Sequence, residues 1–148
     1  KEGALMKSFN VKDGLGIKLL MKNKIKVVFF SGGSGGATER RAETLKIDYC
    51  QVGIKNKFIA LANLQKKFSI TKEETAYVGD DVNDIPVKKL VNIFFAPRDA
   101  SKYVLRICDL ILTNSGGNGA IRELADKILS YKGVLSNIEK KGWLELND

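Results

Sequence analysis

Short apolar runs alternate with helix-like segments along almost the whole chain, and this alternation limits the possible folds more than any other feature. Residues 25–30 form a β-branched and aromatic run that is continuous after Lys26, which is typical of a strand buried on both faces of a parallel sheet. Similar runs occur at residues 5–11, 49–52, 75–78, 92–96 and 110–113. Helices are predicted at residues 16–24, 38–45, 57–68, 84–90, 100–107 and 120–131, with a further helix start and capping box at residues 71–74.

Strands that alternate with helices form βαβ units with right-handed crossovers. The expected fold class is therefore α/β, a three-layer Rossmann-like domain built on a parallel sheet. A chain of 148 residues is long enough for one such domain with a sizeable core. We assign residues 1–135 to this domain and residues 136–148 to a polar C-terminal tail.

The chain contains no histidine, and this absence excludes several kinds of catalytic site. A Ser-His-Asp or Cys-His mechanism and a histidine-ligated zinc site all require the missing imidazole. Cys50 and Cys108 lie far apart without metal-ligand spacing, so we expect buried free thiols in a reducing cytoplasm. No apolar run approaches the length of a membrane span, and no membrane partner is expected.

The formal net charge of +8 leaves two kinds of partner open. A basic chain can bind nucleic acid, but the lysines and arginines are spread along the sequence, and no RNA-binding aromatic motif or DNA-reading helix is present. A small anionic substrate explains the charge equally well. We therefore expect a small-molecule partner and no nucleic acid, and a steep salt dependence of binding would be the test of the alternative.

Three carboxylates follow the apolar run at residues 75–78, at the point where a glycine ends it. They are Asp80, Asp81 and Asp84. The carboxyl edge of an open α/β sheet is where ligands bind, and closely spaced carboxylate oxygens suit Mg²⁺. The alternative is a solvated acidic turn in which Asp84 caps a helix. Both interpretations fit the spacing.

Glycines and basic residues near other strand ends could hold an anion. Ser31 ends the run at residues 25–30, and the glycines after it, including Gly32 and Gly33, allow close backbone approach to a ligand. A flexible loop is the simpler interpretation, since no Walker A or dinucleotide fingerprint follows. Lys57 could neutralise a phosphate, although most lysines are simply solvated.

The order and spacing of these segments together are more specific than any one of them. They resemble the 3-deoxy-D-manno-octulosonate 8-phosphate (Kdo8P) phosphatase family of the cap-less haloacid dehalogenase superfamily. The similarity covers roughly residues 3–135. It is carried by Phe9-Asn10-Val11-Lys12-Asp13-Gly14, Ser31-Gly32, Glu39-Arg40-Arg41-Ala42, Lys57, Tyr77-Val78-Gly79-Asp80-Asp81-Val82-Asn83-Asp84 and Gly116-Gly117-Asn118-Gly119-Ala120-Ile121-Arg122-Glu123.

The resemblance implies a Mg²⁺-dependent phosphatase in which an aspartate attacks the substrate phosphorus. Asp80 matches the downstream metal ligand, with Asp81 and Asp84 supporting the metal or its waters. Ser31 matches the hydroxyl that contacts phosphate, and Lys57 matches the lysine that holds phosphate and nucleophile. The positions that match the substrate pocket are Asn10, Val11, Lys12, Asp13, Gly14, Lys18, Gly32, Gly33, Arg41 and Lys57.

The family also has a characteristic setting. Its substrate is a phosphorylated sugar acid used in cell-surface polysaccharide synthesis in the cytoplasm. Its members lack a cap domain and form homotetramers, in which one subunit covers a neighbour's site. For this chain the resemblance therefore implies Mg²⁺ as cofactor and a homotetramer.

One family motif is missing from the sequence. The family's nucleophile and general acid lie in an Asp-x-Asp motif on its first strand, and no Asp-x-Asp occurs here. We therefore expect the first strand to be absent and the chain, which begins at Lys1, to be a truncated and inactive piece of an active phosphatase. The alternative is a non-catalytic assembly module, like the phosphatase-like domain fused to some acylneuraminate cytidylyltransferases.

Two positions leave the substrate open. Kdo8P-specific members usually carry arginine where this chain has Gly33, and often where it has Asn118. Arginine at either position would suit a substrate carboxylate through bidentate hydrogen bonds. A nonulosonate 9-phosphate is therefore an alternative substrate.

Overall fold

The computed structural model describes residues 7–34 and 36–142. Its elements alternate along the chain. The helices are α1 (Val11–Lys22), α2 (Ala37–Leu45), α3 (Lys57–Phe68), a 3₁₀ helix (Val82–Leu90), α4 (Lys102–Leu105), α5 (Ala120–Tyr131) and α6 (Leu135–Lys141). The strands are β1 (Val28–Phe30), β2 (Tyr49–Gln51), β3 (Ala76–Val78), β4 (Ile93–Ala96) and β5 (Leu110–Ile111).

All of the strand pairs described are parallel, as predicted from the alternation of elements. β1 pairs with β2, and Phe29 lies opposite Cys50. A second sheet has the order β3-β4-β5, with Tyr77 opposite Phe94. Within residues 7–34 and 36–142, β1 and β3 each pair along one edge only, so the two sheets are not hydrogen-bonded to each other.

The two sheets nevertheless share one core. Val28 and Phe30 of β1 pack into the same apolar cluster as Tyr77 of β3 and Phe94 of β4. This cluster lies under α3 and the 3₁₀ helix, which supply Leu61 and Val87 among others.

The opposite face is covered by α1 and α5. Leu19 and Leu129 form a second cluster there, and Phe95 packs with Leu124 in a third. Phe94 and Phe95 are adjacent in sequence and face opposite layers, as side chains of a strand must. Helices on both faces of a parallel sheet make the predicted three-layer α/β arrangement.

The prediction that residues 25–30 are buried on both faces is wrong for the described part of the molecule. The strand is shorter, Val28–Phe30, and all of its residues are partly exposed. The same is true of Tyr77 and Val78 in β3. Both strands are apolar but lack a neighbour on one edge.

The predicted strand at residues 5–11 is also wrong where the structure describes it. Residues 7–10 are not a strand, and α1 begins at Val11 rather than at residue 16. The side chain of Asn10 accepts a hydrogen bond from the Lys12 N–H at 2.8 Å and so caps the helix. Leu5 and Met6 lie outside the described residues.

Two glycines remain inside α1 because its neighbours pass very close. A Cβ at Gly16 would lie 3.0 Å from the Arg122 Cα and 3.2 Å from the Ala125 Cβ. Side chains at this position would force α1 away from α5. Gly16 thus sets the distance between α1 and α5, whereas Gly14 faces Arg41 and Leu45 of α2, and this close packing outweighs their poor helix propensity.

Three further predictions about elements need correction. Residues 71–74 do not form a helix, although the Glu74 carboxylate accepts from the Thr71 N–H at 2.9 Å, as in half of a capping box. The helix predicted at residues 84–90 is a 3₁₀ helix that begins at Val82. The polar C-terminal segment contains α6, from which Ile138 packs onto the Leu129 cluster.

Cys50 and Cys108 are both free, as predicted, and both are partly rather than fully buried. In the part of the chain that the structure describes, no helix has the length and apolar character needed to cross a membrane.

Candidate active site

The carboxyl ends of β1, β2 and β3 meet at one edge of the molecule. Lys57, the first residue of α3, reaches the turn after β3, where its Nζ lies 2.5 Å from the Asp84 Oδ1. The loop after β1 approaches the same turn, since a Cβ built at Gly32 would lie 3.7 Å from the Asn83 Nδ2. Ser31, Lys57 and the acidic turn are thus brought together, as parallel strands require.

Asp84 is the centre of this site and is almost completely buried, with 1% of its side chain exposed. Its Oδ1 accepts hydrogen bonds from the Lys57 ammonium and, at 2.6 Å, from the Tyr77 hydroxyl. Its Oδ2 accepts from the backbone N–H groups of Asp80 and Asp81 at 3.1 and 3.3 Å. Four donors therefore compensate the buried charge and fix the path of the turn.

Gly79 allows the turn to close over Asp84. A Cβ at this position would lie 2.6 Å from the Asp84 Cβ, 2.7 Å from its Cγ and 2.9 Å from the Phe94 Cζ. Such contacts are far inside van der Waals distance. Any other residue at position 79 would displace the buried carboxylate from its donors.

Asp84 and Asp80, two carboxylates of the same turn, have pKa values that are shifted in opposite directions. Burial by itself would raise the pKa of Asp84, but the hydrogen bonds from Lys57 and Tyr77 outweigh burial and hold that pKa below its ordinary value. Partial burial and the negative charge of Asp84 together raise the pKa of Asp80. A cation beside the exposed Asp80 carboxylate would relieve this repulsion.

The three carboxylates predicted to hold or support a metal ion differ in how free their oxygens are. Both oxygens of Asp84 are occupied by protein donors, and the Asp81 carboxylate caps the 3₁₀ helix by accepting from the Val82 N–H at 2.7 Å. Across residues 7–34 and 36–142, no three acidic, cysteine or histidine side chains form a group able to hold a metal. The N-cap of the 3₁₀ helix is thus Asp81, whereas the alternative interpretation placed the cap at Asp84, which lies at the third position of the capping box.

Asp80 still fits a magnesium ion. Its side chain is exposed at the sheet edge, and its carboxylate is not among those bound by the donors above. Mg²⁺ commonly takes one or two protein carboxylates and completes its shell with water and substrate phosphate. One carboxylate on this turn is compatible with that chemistry.

Ser31 lies directly after β1, where its backbone continues the pairing with β2 through a 2.9 Å hydrogen bond to the Gln51 carbonyl. Its Oγ accepts from the Gly33 N–H at 3.2 Å. Gly32 and Gly33 are exposed. The hydroxyl proton of Ser31 and the backbone of this loop can therefore face an incoming anion.

A second group of predicted residues lies on α1 and α2. Val11 and Lys12 are exposed at the start of α1, and Lys18 is half-buried further along it. The Arg41 guanidinium packs over the Phe9 ring, 5.5 Å from its centroid. Gly14 makes room for Arg41, because a Cβ there would lie 2.5 Å from the Arg41 Nη2.

Asp13, predicted to line a substrate pocket, is used inside the protein. It is 8% exposed, and its carboxylate accepts from the N–H groups of Gly119 and Arg122 at 3.3 and 2.9 Å. Asp13 therefore caps the start of α5 from another helix. This contact also fixes the Gly-rich loop before α5 against α1.

Sequence reasoning missed two contributions to the site. Tyr77 was assigned only to a strand, although a tyrosine within a buried apolar run needs a partner for its hydroxyl. The second contribution comes from residues 97–101 after β4, for which no part in the site was predicted. There, the Ser101 N–H donates to the Asp80 carbonyl at 2.8 Å, and Asp99 accepts from the Gly116 N–H at 2.7 Å.

Comparisons with known proteins agree with this geometry. The family described as haloacid dehalogenase-like hydrolase matches residues 54–124, which include Lys57 and the whole acidic turn. The 3-deoxy-D-manno-octulosonate 8-phosphate phosphatase KdsC of Haemophilus influenzae is 41% identical over 134 residues, which cover 90% of this chain and 74% of that protein.

Solved structures show the same likeness. The cobalt-bound form of the Haemophilus influenzae phosphatase superposes with a TM-score of 0.90 at 40% identity, covering 97% of this chain and 84% of the other. The Moraxella catarrhalis phosphatase, in complex with a magnesium ion, a phosphate ion and a KDO molecule, gives a TM-score of 0.92 at 31% identity. That alignment covers 97% of this chain and 82% of the other.

Proposed function

This chain belongs to the Kdo8P phosphatase family of haloacid dehalogenase-like hydrolases, and from that membership we propose that it serves Mg²⁺-dependent hydrolysis of a phosphorylated sugar acid. The observation that carries the proposal is the junction of Ser31, Lys57 and the acidic turn at one sheet edge. A hydroxyl, an ammonium and a backbone loop suit phosphate, and an exposed carboxylate beside them suits the metal.

Each residue has a definite part in this proposal. Asp80 would hold Mg²⁺, which when bound offsets charge on the phosphate oxygens. Lys57, oriented by Asp84, binds a phosphate oxygen, and Ser31 donates its hydroxyl proton to another. Arg41 and Lys12 contact the sugar acid. Asp84 and Asp81 shape the turn and support the metal only indirectly.

The nucleophile is not among the residues of this sequence, which contains no Asp-x-Asp. In the family this motif lies on the first strand. In the present structure β1 and β3 each lack a partner along one edge, and both enter one core cluster. We propose that a strand completing this sheet brings the nucleophilic and general-acid carboxylates to Lys57 and Asp80.

The substrate is proposed to be Kdo8P or a related nonulosonate 9-phosphate. The Haemophilus influenzae relative is named a Kdo8P phosphatase, and one neighbour was solved with KDO and phosphate. Gly33 and Asn118 stand where arginines would favour Kdo8P, which keeps the longer sugar acid as the alternative. We further propose a homotetramer in the cytoplasm and a role in cell-surface polysaccharide synthesis.

The test is phosphate release from both sugar-acid phosphates, with and without Mg²⁺. The 148-residue chain and the protein encoded by the complete reading frame that contains it are assayed in parallel. We expect no turnover from the 148-residue chain. The protein encoded by the complete reading frame should show Mg²⁺-dependent turnover, and Asp80→Asn should lower that turnover at least about 100-fold. An Asp126→Asn variant, in which the changed carboxylate lies on the surface of α5, is the matched control.

A second candidate function is a non-catalytic assembly module, which the missing Asp-x-Asp favours. A complete reading frame without that motif and without phosphate release would select this function. Light scattering would then measure whether the protein forms a tetramer, since assembly would be its main function.

A further inference from the structure

Lys57 shares its hydrogen-bond acceptor with a second donor. Its ammonium and the hydroxyl of Tyr77 both donate to the same oxygen of Asp84, at 2.5 and 2.6 Å. The other oxygen, Oδ2, is held by two backbone N–H groups of the turn. The carboxylate therefore cannot rotate to give either donor an oxygen of its own without losing a backbone hydrogen bond.

The position of the Tyr77 hydroxyl is fixed by its ring. The ring packs at 5.4 Å and 37° against Phe94, which is completely buried, and it belongs to the main core cluster. Tyr77 is the middle residue of β3, and its pairing with Phe94 of β4 fixes its backbone. The hydroxyl is a rigid donor, whereas Lys57 is a flexible chain that ends at the same oxygen.

Two donors on one oxygen share its negative charge. The hydrogen bond from Tyr77 weakens the hold of Asp84 on the ammonium, and it also occupies one direction of approach to Oδ1. Lys57 is therefore directed to one side of the oxygen. An ammonium has three protons, and those not used by Asp84 remain for a ligand at the sheet edge.

We propose that Tyr77 is a positioning residue for phosphate binding: by sharing the Asp84 Oδ1 with Lys57, it fixes the place of the ammonium and keeps it available to a phosphate oxygen. This inference rests on the proposed function, because it takes Lys57 to be the phosphate-binding cation. It assigns Tyr77 no contact with substrate.

The test compares Tyr77→Phe, which removes only the shared donor, with Tyr131→Phe, which removes the same atom from a side chain that is 94% exposed. The ¹⁵N resonance of the Lys57 Nζ, assigned through its loss in Lys57→Arg, is recorded during titration with inorganic phosphate. In Tyr77→Phe we expect a shifted resonance with slower proton exchange, and phosphate affinity lowered about tenfold, as for the loss of one hydrogen bond near a charge. Tyr131→Phe should match the parent protein.

An unchanged Lys57 resonance and phosphate affinity within about twofold of the parent would overturn the proposal, even if Tyr77→Phe is less stable to urea, because that pattern marks a purely structural hydroxyl. In a chain that turns over, the proposal also requires KM to rise about tenfold with kcat changed much less. Absence of turnover in the complete reading frame would contradict the proposed function. The resonance and the phosphate titration would still decide the part played by Tyr77.

Discussion

Replacing Asp84 by asparagine should destabilise the fold strongly, although the two side chains have nearly the same shape. The carboxylate accepts four hydrogen bonds, two on each oxygen. An amide keeps one accepting oxygen and presents an N–H₂ group to the other pair of donors. Whichever way the asparagine turns, two donors lose their acceptor and face a donor instead.

The magnitude follows from the burial of the partner. The Lys57 side chain is only 10% exposed, so its charge would be left almost unsolvated without the carboxylate. Breaking a buried ion pair from one side costs about 3–5 kcal/mol. This is a large part of the free energy of unfolding of a typical domain, about 5–15 kcal/mol.

Urea denaturation followed by far-UV circular dichroism measures this cost. The series contains Asp84→Asn, Lys57→Met and the double variant, which should lose about 2 kcal/mol less than the sum of the single variants because the two side chains interact directly. Lys88→Met is the matched control, since its partner Asp109 and Lys88 itself are both about a third exposed. It should cost less than about 1 kcal/mol.

The pH dependence of the free energy of unfolding is a further test of the contribution of Asp84. The pKa of Asp84 is lowered in the folded protein, so its contribution is complete above the unfolded carboxyl pKa of about 3.9 and is lost as pH falls through the lower folded value. The difference between the parent and Asp84→Asn should stay constant from neutral pH down to about pH 5 and shrink below about pH 4. A cost of under about 1 kcal/mol at pH 7 would refute the reasoning.

Two further substitutions test the packing around the site. Gly79→Ala should lower the free energy of unfolding by about 2 kcal/mol or more, because the added methyl group would overlap Asp84 and Phe94. In the same urea titration Gly116→Ala should cost much less, because a Cβ there has no neighbour closer than 3.7 Å. Asp13→Ala should cost about 1–2 kcal/mol by removing the carboxylate that caps α5, and reduced protection of the first amides of α5 in hydrogen exchange would locate the effect; unchanged protection would contradict the capping role.

The regular parts of the fold could be predicted because their signals are local and repeated. The bounds of α3 and α5 agree with the predicted ranges 57–68 and 120–131, where apolar residues recur at helical spacing. The start of α1 could not be found in this way. Its two glycines argue against a helix, and only the close approach of α5 to Gly16 and of α2 to Gly14 explains why a helix needs them.

The site was predicted in its membership but not in its internal organisation. Spacing along the chain indicated that Ser31, Lys57 and the acidic turn meet at one edge. It could not indicate that Asp84 turns inward while Asp80 stays exposed, because both follow the same strand and are the same residue type. That difference depends on Gly79, whose missing side chain leaves the space that Asp84 fills.

Burial therefore gives different roles to Asp84 and Asp80, two carboxylates of the same charge that are separated by three residues. Asp84 gains four donors by turning inward, and these donors keep it ionised without any metal. Partial burial raises the pKa of Asp80, and the fixed negative charge of Asp84 raises it further. An exposed carboxylate beside a buried one has more to gain from a cation than an isolated carboxylate has, since the cation offsets repulsion as well as binding the group itself. The same buried charge orients Lys57. One inward-facing carboxylate thus prepares both the anion-binding and the cation-binding half of the site.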